Sequence, residues 1–533
     1  MKVRHREGAW VALYALLIVV LTQVPYGLGG TRAGEAWWFN GFLFGAEDGN
    51  AYLGKIRLGA EGDWSFHLFY TTEDHPEAFG VYLPFILVGQ AIRLIFDPSP
   101  EALPDYLRAG WQVWRALASF MLILCQYAFI AQFLAGQKSR WLALLLSSLG
   151  GGLGWVLILL GGGDFLGTLP AEFYIPEGFS FLVLYGLPHV AMGRAAMLLG
   201  LVCFLQAWRK DSAYYALGAG LCWLMVGLMV TFYWAVLYVI LAAWGLALWL
   251  KHGRFPFGFV RWVALSAGMS LPAFAYSFWL FQDNPAFRAW SAQNLLPSPH
   301  PLHYLIAYGV LGSLAWVGGR YLWRQSGELR QREGSLLLAW VLIVPVLVYL
   351  PINVQRRLAE GVLIPLVILA VMGLRLLGPR WRRRGGPALL LLLLPSSLFF
   401  FVGTSLVSLT PQCEAELCLY RPAAERQMLF WLGDNTPPGS RILASPTTGN
   451  YLPIATGRRP FWGLGTETLE AIPKEGLLEA FYRGEGGEAF LADYQLDYVI
   501  YGPLEKAYGP ASGWNRGLLL IYDRDGYQVY EVP

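Results

Sequence analysis

Residues 81–96 read VYLPFILVGQAIRLIF, and whether this stretch crosses a membrane decides how the whole chain is laid out. It is apolar enough to pass for a span, yet it is short and carries Gln90 and Arg93. A transmembrane helix needs about 20 apolar residues. Counting it as a crossing would also invert every later loop and move the basic clusters to the outer face, against the bias of Lys and Arg toward the cytoplasm. The reading adopted is an amphipathic or re-entrant helix lying at the outer surface.

Around this segment stand eleven longer apolar runs, near 9–27, 108–135, 140–161, 187–208, 213–230, 231–250, 258–281, 302–323, 335–352, 357–377 and 386–409. Of the 533 residues 56% are hydrophobic and 14% charged, where a soluble protein carries nearer a quarter charged. The mean hydropathy is +0.44. The 23 tryptophans suit a protein with two water–lipid interfaces to anchor. The expected fold class is an α-helical polytopic membrane protein with about eleven transmembrane helices. The first run follows Lys2, Arg4 and Arg6, is long for the apolar core of a secretory signal and lacks a convincing cleavage site, so it reads as a retained helix. Only Thr231-Phe232-Tyr233-Trp234 separates the two runs within 213–250, and whether these form one helix or two stays open.

Basic clusters lie between the runs: Lys138 with Arg140, Arg209-Lys210, Lys251 with Arg254 and Arg261, then Arg320, Arg324, Arg330 and Arg332. The densest is Arg375 with Arg380, Arg382, Arg383 and Arg384. With all of them cytoplasmic, eleven crossings leave the N-terminus inside and the C-terminus outside a cell (plasma) membrane. The outer surface is then a loop of residues 28–107, a second of 162–186, a third of about 282–301, and a tail. The expected domains are 1–409, membrane-embedded with the outer loops 28–107 and 162–186, and 410–533, a soluble extracytoplasmic α/β domain. In that tail 441–444, 498–501, 518–522 and 527–532 read as strands, and 425–432, 477–482 and 487–494 as helices, which favours a mixed sheet. Cys413 and Cys418 fit a short disulfide in an oxidising compartment, with two free thiols as the alternative. Cys125, Cys203 and Cys222 lie inside runs and read as packing residues. Glycine-rich phosphate loops and basic aromatic grooves are missing from the sequence, so no nucleic-acid partner is expected.

The first outer loop carries Glu47-Asp48-Gly49-Asn50-Ala51-Tyr52, then Lys55, Arg57, Gly62-Asp63-Trp64 and Asp74-His75-Pro76. A carboxylate beside the bilayer can take a proton from an acceptor hydroxyl or amine, or hold a divalent ion that clamps a phosphate. Adjacent carboxylates raise one another's pKa, which suits a base. The plain alternative is a loop of solvated acids.

The acidic pair, an aromatic four positions beyond Asp48 (Tyr52), Gly62-Asp63-Trp64 and the Pro-bearing surface helix together resemble the GT-C superfamily of membrane glycosyltransferases. The resemblance is to the bacterial branch that includes proteins like the protein mannosyltransferases and the lipid A aminoarabinose transferase. It covers the N-terminal half, and a soluble outer domain after the last helix fits the same family. It implies a polyprenyl-phosphate-linked sugar donor and a lipid, glycan or protein acceptor. It makes Asp48 the catalytic or metal-binding carboxylate with Glu47 as its neighbour, and marks Tyr52 and His75 as substrate-side residues. The chain departs from the aminoarabinose-transferase pattern in having Asp74-His75-Pro76 where that pattern has Lys-Pro-Pro, which leaves the acceptor class open. Family members place a second acidic or histidine residue in the next outer loop. Of Asp164, Glu172, Glu177, His189 and Arg194 the candidates there are Glu177 and His189, with helix capping as the alternative for the histidine. A metal, Mg or Mn, would draw on Asp48, Glu177 and His189.

Gln355-Arg356-Arg357 opens the tenth run at its outer end. Paired arginines are disfavoured at that face unless they have an anionic partner, and a planar guanidinium fork suits a phosphate. The alternative is snorkelling to lipid headgroups. Arg458-Arg459-Pro460-Phe461-Trp462-Gly463 in the tail reads either as an acceptor-facing surface or as an ordinary turn. The expected activity is that of an inverting hexosyl or pentosyl transferase, with Asp48 activating the acceptor while Arg356 and Arg357 grip the donor's phosphate in the same pocket. The rivals are a transporter or flippase of lipid-linked sugars, and a non-catalytic protein of the same fold.

Overall fold

The computed structural model describes residues 5–324, 328–414, 418–485, 487–510 and 513–533; Lys2 and Arg4 of the basic start lie outside them. Two compact units emerge, one of residues 1–23, 114–278 and 295–403, the other of 24–113, 279–294 and 404–533. Chain contacts thus group the tail with the first outer loop and a piece of the third, a different partition from a cut at 409/410.

The first unit is helical. Among the described residues, seven helices of the chain are long and apolar enough to cross a membrane: His5–Arg32, Leu103–Phe133, Pro188–Lys210, Tyr233–His252, Phe257–Asp283, Pro301–Arg324 and Pro379–Val407. The other four expected spans are present in shorter or more polar form. The run 140–161 is broken after Leu149, where Gly150 is extended, into helices Gln137–Leu149 and Gly154–Leu159. Ala213–Met229 is 17 residues long and Leu363–Leu376 is 14. Glu328–Leu347 begins with a charged turn. The question left open within 213–250 resolves as two helices, interrupted at residues 230–232. A Cβ on Gly227 would stand 1.9 Å from the Trp234 ring, so only glycine lets that indole fold back and donate to the Trp223 carbonyl at 2.6 Å.

The second unit is built on paired strands and two glycine-packed helices. Strand β1 (Trp37–Phe39) runs antiparallel to β4 (Tyr420–Pro422), and between them β2 (Ser65–Phe66) pairs with β3 (Ala78–Phe79). The remaining strands, β5 (Arg441–Leu443), β6 (Arg459–Pro460), β7 (Tyr498–Tyr501), β8 (Leu519–Arg524) and β9 (Tyr527–Glu531), form one sheet in the order β6-β5-β7-β9-β8. It is mixed: β5 is parallel to both neighbours, while β9 is antiparallel to β7 and β8. Phe461, Leu478, Phe481, Tyr482, Val499 and Trp514 make its buried core, with helix Ala471–Tyr482 supplying one side. Cys413 and Cys418 are disulfide-bonded just before β4.

The segment 81–96 becomes helix Leu83–Phe96, 14 residues long, docked on helix Ala46–Glu61. The docking is close because glycines meet backbone. A Cβ on Gly59 would be 2.1 Å from the Ile86 carbonyl oxygen, and one on Gly89 would be 1.9 Å from that of Ile56. Its far end stays apolar and open, with Leu94 81% and Ile95 70% exposed, as suits a helix with one face toward lipid.

Candidate active site

In the second unit, helix Ala46–Glu61 starts from Gly45 in the left-handed region (φ 53), which turns the chain so that Glu47 and Asp48 occupy the first helical turn. Carboxylates there are favoured by the helix dipole, so the placement alone is ordinary helix chemistry. What lies in front of them is not ordinary. Both side chains are exposed into a cavity of about 650 Å³, walled by Asn50, Gln293, Arg421, Thr447, Asn450, Trp462, the turn 464–466 and Glu475.

Buried amides form the wall behind the acids. Asn50, 1% exposed, donates to the Asn450 side-chain oxygen at 2.8 Å, and the Asn450 amide donates to the Glu47 carbonyl at 3.3 Å. The Asn450 carbonyl accepts from the Tyr70 hydroxyl at 2.7 Å. Arg421, equally buried, donates to Glu425 at 3.0 Å and to the Thr447 carbonyl at 2.7 Å, and lies over the Tyr451 ring. Partial dehydration in this concave setting pushes the Glu47 carboxyl above its usual range; Asp48 adds to the rise and the Arg421 charge opposes it. The cavity mouth is shaped by segment 279–294: Asn284 caps helix Pro285–Gln293, whose last residue donates to the carbonyl of Thr468 at 2.5 Å and so holds the 464–468 strap. Lys55, two turns beyond Asp48, fixes the same strap by donating to buried Glu467 at 2.6 Å.

Two expected members of this site serve the scaffold instead. Tyr52 stacks on Trp111 (centroids 5.2 Å apart, 9° between planes) and on Phe85, and does not line the cavity. His75 is a correction: its Nε2 accepts from the Leu68 amide at 2.8 Å and its Nδ1 faces the Glu73 carbonyl at 3.0 Å, so both ring nitrogens order their own loop. Dehydration lowers its pKa, which keeps the ring neutral for that role. The Arg458–Gly463 stretch divides. Arg458 ties off helix-end carbonyls of Gly433 and Thr436, Arg459 pairs with Asp74 at 2.7 Å, and Trp462 alone reaches the cavity wall.

In the first unit Arg356 and Arg357 sit on the short helical turn Gln355–Ala359, half-buried, over the rings of Tyr174 and Phe232 at 5.2 and 5.5 Å. Glu177, 4% exposed, lies 3.8 Å from the Arg357 guanidinium; burial pushes its carboxyl up while Arg357 pulls it down, with a net rise. The turn is locked by a pair that no local motif announces: Arg194 donates to Glu360 at 2.6 and 2.9 Å, both residues at or below 1% exposure. Arg194 also donates to the Glu177 carbonyl at 2.8 Å, and the Gly361 amide to the same oxygen at 2.9 Å. Glu177 and Arg357 thus lie together at this turn. His189 is buried as the second residue of helix Pro188–Lys210. Glu172 is a structural acid, accepting from the Gly154 amide at 2.5 Å and from Ser396 at 3.2 Å.

Among the described residues no group of three or more His, Cys, Asp or Glu side chains is arranged to hold a metal ion. Glu47 and Asp48 offer two carboxylates flanked by amides, which is too few donors for a protein-held site.

No family model and no curated relative matches the chain. Among solved structures, the Archaeoglobus fulgidus oligosaccharyltransferase, crystallised tethered with an acceptor peptide containing the NVT sequon, matches 99% of this chain and 74% of its own. The TM-score is 0.54 at 12% identity. ArnT from Cupriavidus metallidurans, solved bound to undecaprenyl phosphate and in the apo state, matches 98% of both chains with a TM-score of 0.48, at 12% and 13% identity. The similarity to the oligosaccharyltransferase shows a shared fold.

Proposed function

We propose that this protein is a membrane glycosyltransferase that moves a sugar from a polyprenyl-phosphate donor to an acceptor at the outer face of the membrane. The observation that carries the reading is the Glu47–Asp48 pair at a helix N-terminus, facing a polar cavity of about 650 Å³ large enough for a sugar and part of an acceptor. The shared GT-C fold supports the same chemistry.

In the proposed reaction the Asp48 carboxylate takes the proton of an acceptor hydroxyl. The acceptor oxygen attacks the anomeric carbon, the bond from that carbon to the phosphate oxygen breaks, and the electron pair leaves on the lipid phosphate. A single displacement of this kind inverts the anomeric centre. Arg356 and Arg357, their guanidinium planes oriented by aromatic supports, suit a lipid-linked phosphate. A positioned base contributes roughly 10²–10⁴-fold. Burial, and after it the neighbouring Asp48, raise the Glu47 pKa, which favours its neutral form relative to an ordinary carboxylate.

The test is sugar transfer from a labelled polyprenyl-phosphate sugar by the full chain reconstituted in vesicles. Asp48→Asn should lower the rate by roughly 10²–10⁴-fold. An unchanged rate rejects the assignment of Asp48. Movement of the lipid-linked sugar across the vesicle by both forms, with transfer by neither, would establish the transporter reading.

A further inference from the structure

A second cavity of about 650 Å³, in the helical unit, is walled almost wholly by apolar side chains and ends in cations. One wall is a stripe of small residues on helix Pro301–Arg324, Gly312, Ala315 and Gly319, spaced to leave a channel along a single helix face. Helices Tyr233–His252 and Glu328–Leu347 supply the opposite sides, with Leu246, Leu250 and Leu342 at 51%, 73% and 65% exposure. The channel runs toward the C-terminal ends of two of its helices, and there the chemistry changes. Arg320, Trp323 and Arg324 line it, and Lys251 lies 4.5 Å from the Trp323 ring centroid while donating to that residue's carbonyl. Glu333, on the neighbouring helix Glu328–Leu347, is engaged by Arg209 at 2.5 and 2.6 Å.

A groove that is apolar along its length and cationic at one end matches one kind of molecule, an amphiphile with a hydrocarbon tail and an anionic head. We propose that this groove is a binding site for an acidic membrane phospholipid, its acyl chain lying along Gly312, Ala315 and Gly319 and its phosphate held between Arg320 and Arg324. The charge complementarity selects this occupant over a zwitterionic lipid, whose headgroup brings a cation toward the same arginines. Trp323 and Trp316 mark the depth of the headgroup and upper acyl region, where indoles are favoured. This site is separate from the Glu47–Asp48 cavity, which lies in the other unit, and does not depend on the transferase reading.

Native mass spectrometry of the full chain, released from nanodiscs containing equal amounts of phosphatidylglycerol and phosphatidylcholine, tests the proposal. The protein should retain phosphatidylglycerol preferentially, and Arg320→Gln with Arg324→Gln should reduce that retention about tenfold or more. Gly312→Phe probes the tail. A Cβ there meets nothing within 4 Å, so the ring fills the groove without disturbing the helices, and it should weaken retention of the same lipid while the melting temperature holds. Equal retention of both lipids, undiminished phosphatidylglycerol in the double arginine variant, or undiminished retention in Gly312→Phe would each overturn it.

Discussion

The Glu47–Asp48 cavity and the Arg356–Arg357 turn solve the problem of placing charge in opposite ways. In the first, the charges are exposed into a polar space, and behind them Asn50, Asn450 and Tyr70 hold one another by hydrogen bonds that involve no ion, beside the buried Arg421–Glu425 pair. In the second, the charges that hold the scaffold are themselves buried. The Arg194–Glu360 pair is almost fully dehydrated and braces the turn from which Arg356 and Arg357 project. A carboxylate that must exchange a proton needs solvent contact and a tunable pKa. An arginine that must grip a phosphate needs a fixed direction, and a buried ion pair supplies it. The comparison teaches that catalytic reach and positional rigidity come from different residues in the two units.

The largest effect should come from breaking the rigid side. Glu360→Gln leaves a buried guanidinium without its counter-charge and should cost about 3–5 kcal/mol, read as a fall in melting temperature. Replacing both partners together, Arg194→Met with Glu360→Leu, should cost much less, because two apolar groups need no desolvation compensation. If the single and double variants melt alike, the pair is not the brace. Next in size, Arg357→Gln should raise the KM for the lipid-phosphate donor about tenfold, or 1.4 kcal/mol, with the melting temperature unchanged. On the polar side, Trp462→Ala should raise the KM for the acceptor severalfold and alter the donor KM little, since the indole lines the Glu47–Asp48 cavity. A change confined to the donor KM would move Trp462 out of acceptor recognition.

The smallest effect concerns Glu47. Its pKa is raised in the folded state, so between the ordinary carboxylate value and that raised value the native protein keeps a proton that the unfolded chain has lost. Stability therefore falls as pH rises through that window. Glu47→Gln should remove this slope, seen in urea titrations at a series of mildly acidic pH values. A slope that survives the substitution assigns the titration to another group.

How much of this was readable beforehand follows from the distances along the chain. Asp48 stands out in the sequence because its signal is local: an acidic pair, an aromatic, Gly-x-Trp and a short apolar helix lie within fifty residues. The surface reading of 81–96 came from its length and from Gln90 and Arg93, and the glycine contact that seats it was hidden because Gly59 and Gly89 act only as a pair. The strands of the tail were legible from their β-branched and aromatic runs. The cavity wall was not, because Asn50 meets Asn450 across 400 positions and no spacing rule reaches that far. Arg194 stands near His189 in the sequence, but its partner Glu360 lies 166 positions away. His75 misled because a loop histidine reads the same whether it binds a ligand or its own backbone. The four spans that came out shorter or more polar than expected contain glycine runs, flanking charges or an early helix end that average hydropathy smooths over.

The central claim is that the carboxylate at 48 serves sugar transfer in the cavity it faces. The most direct measurement is a cryo-EM structure of the Asp48→Asn form soaked with a polyprenyl-phosphate sugar. The account predicts sugar density in that cavity, with the anomeric carbon facing residue 48. A sugar bound out of reach of residue 48 would contradict it.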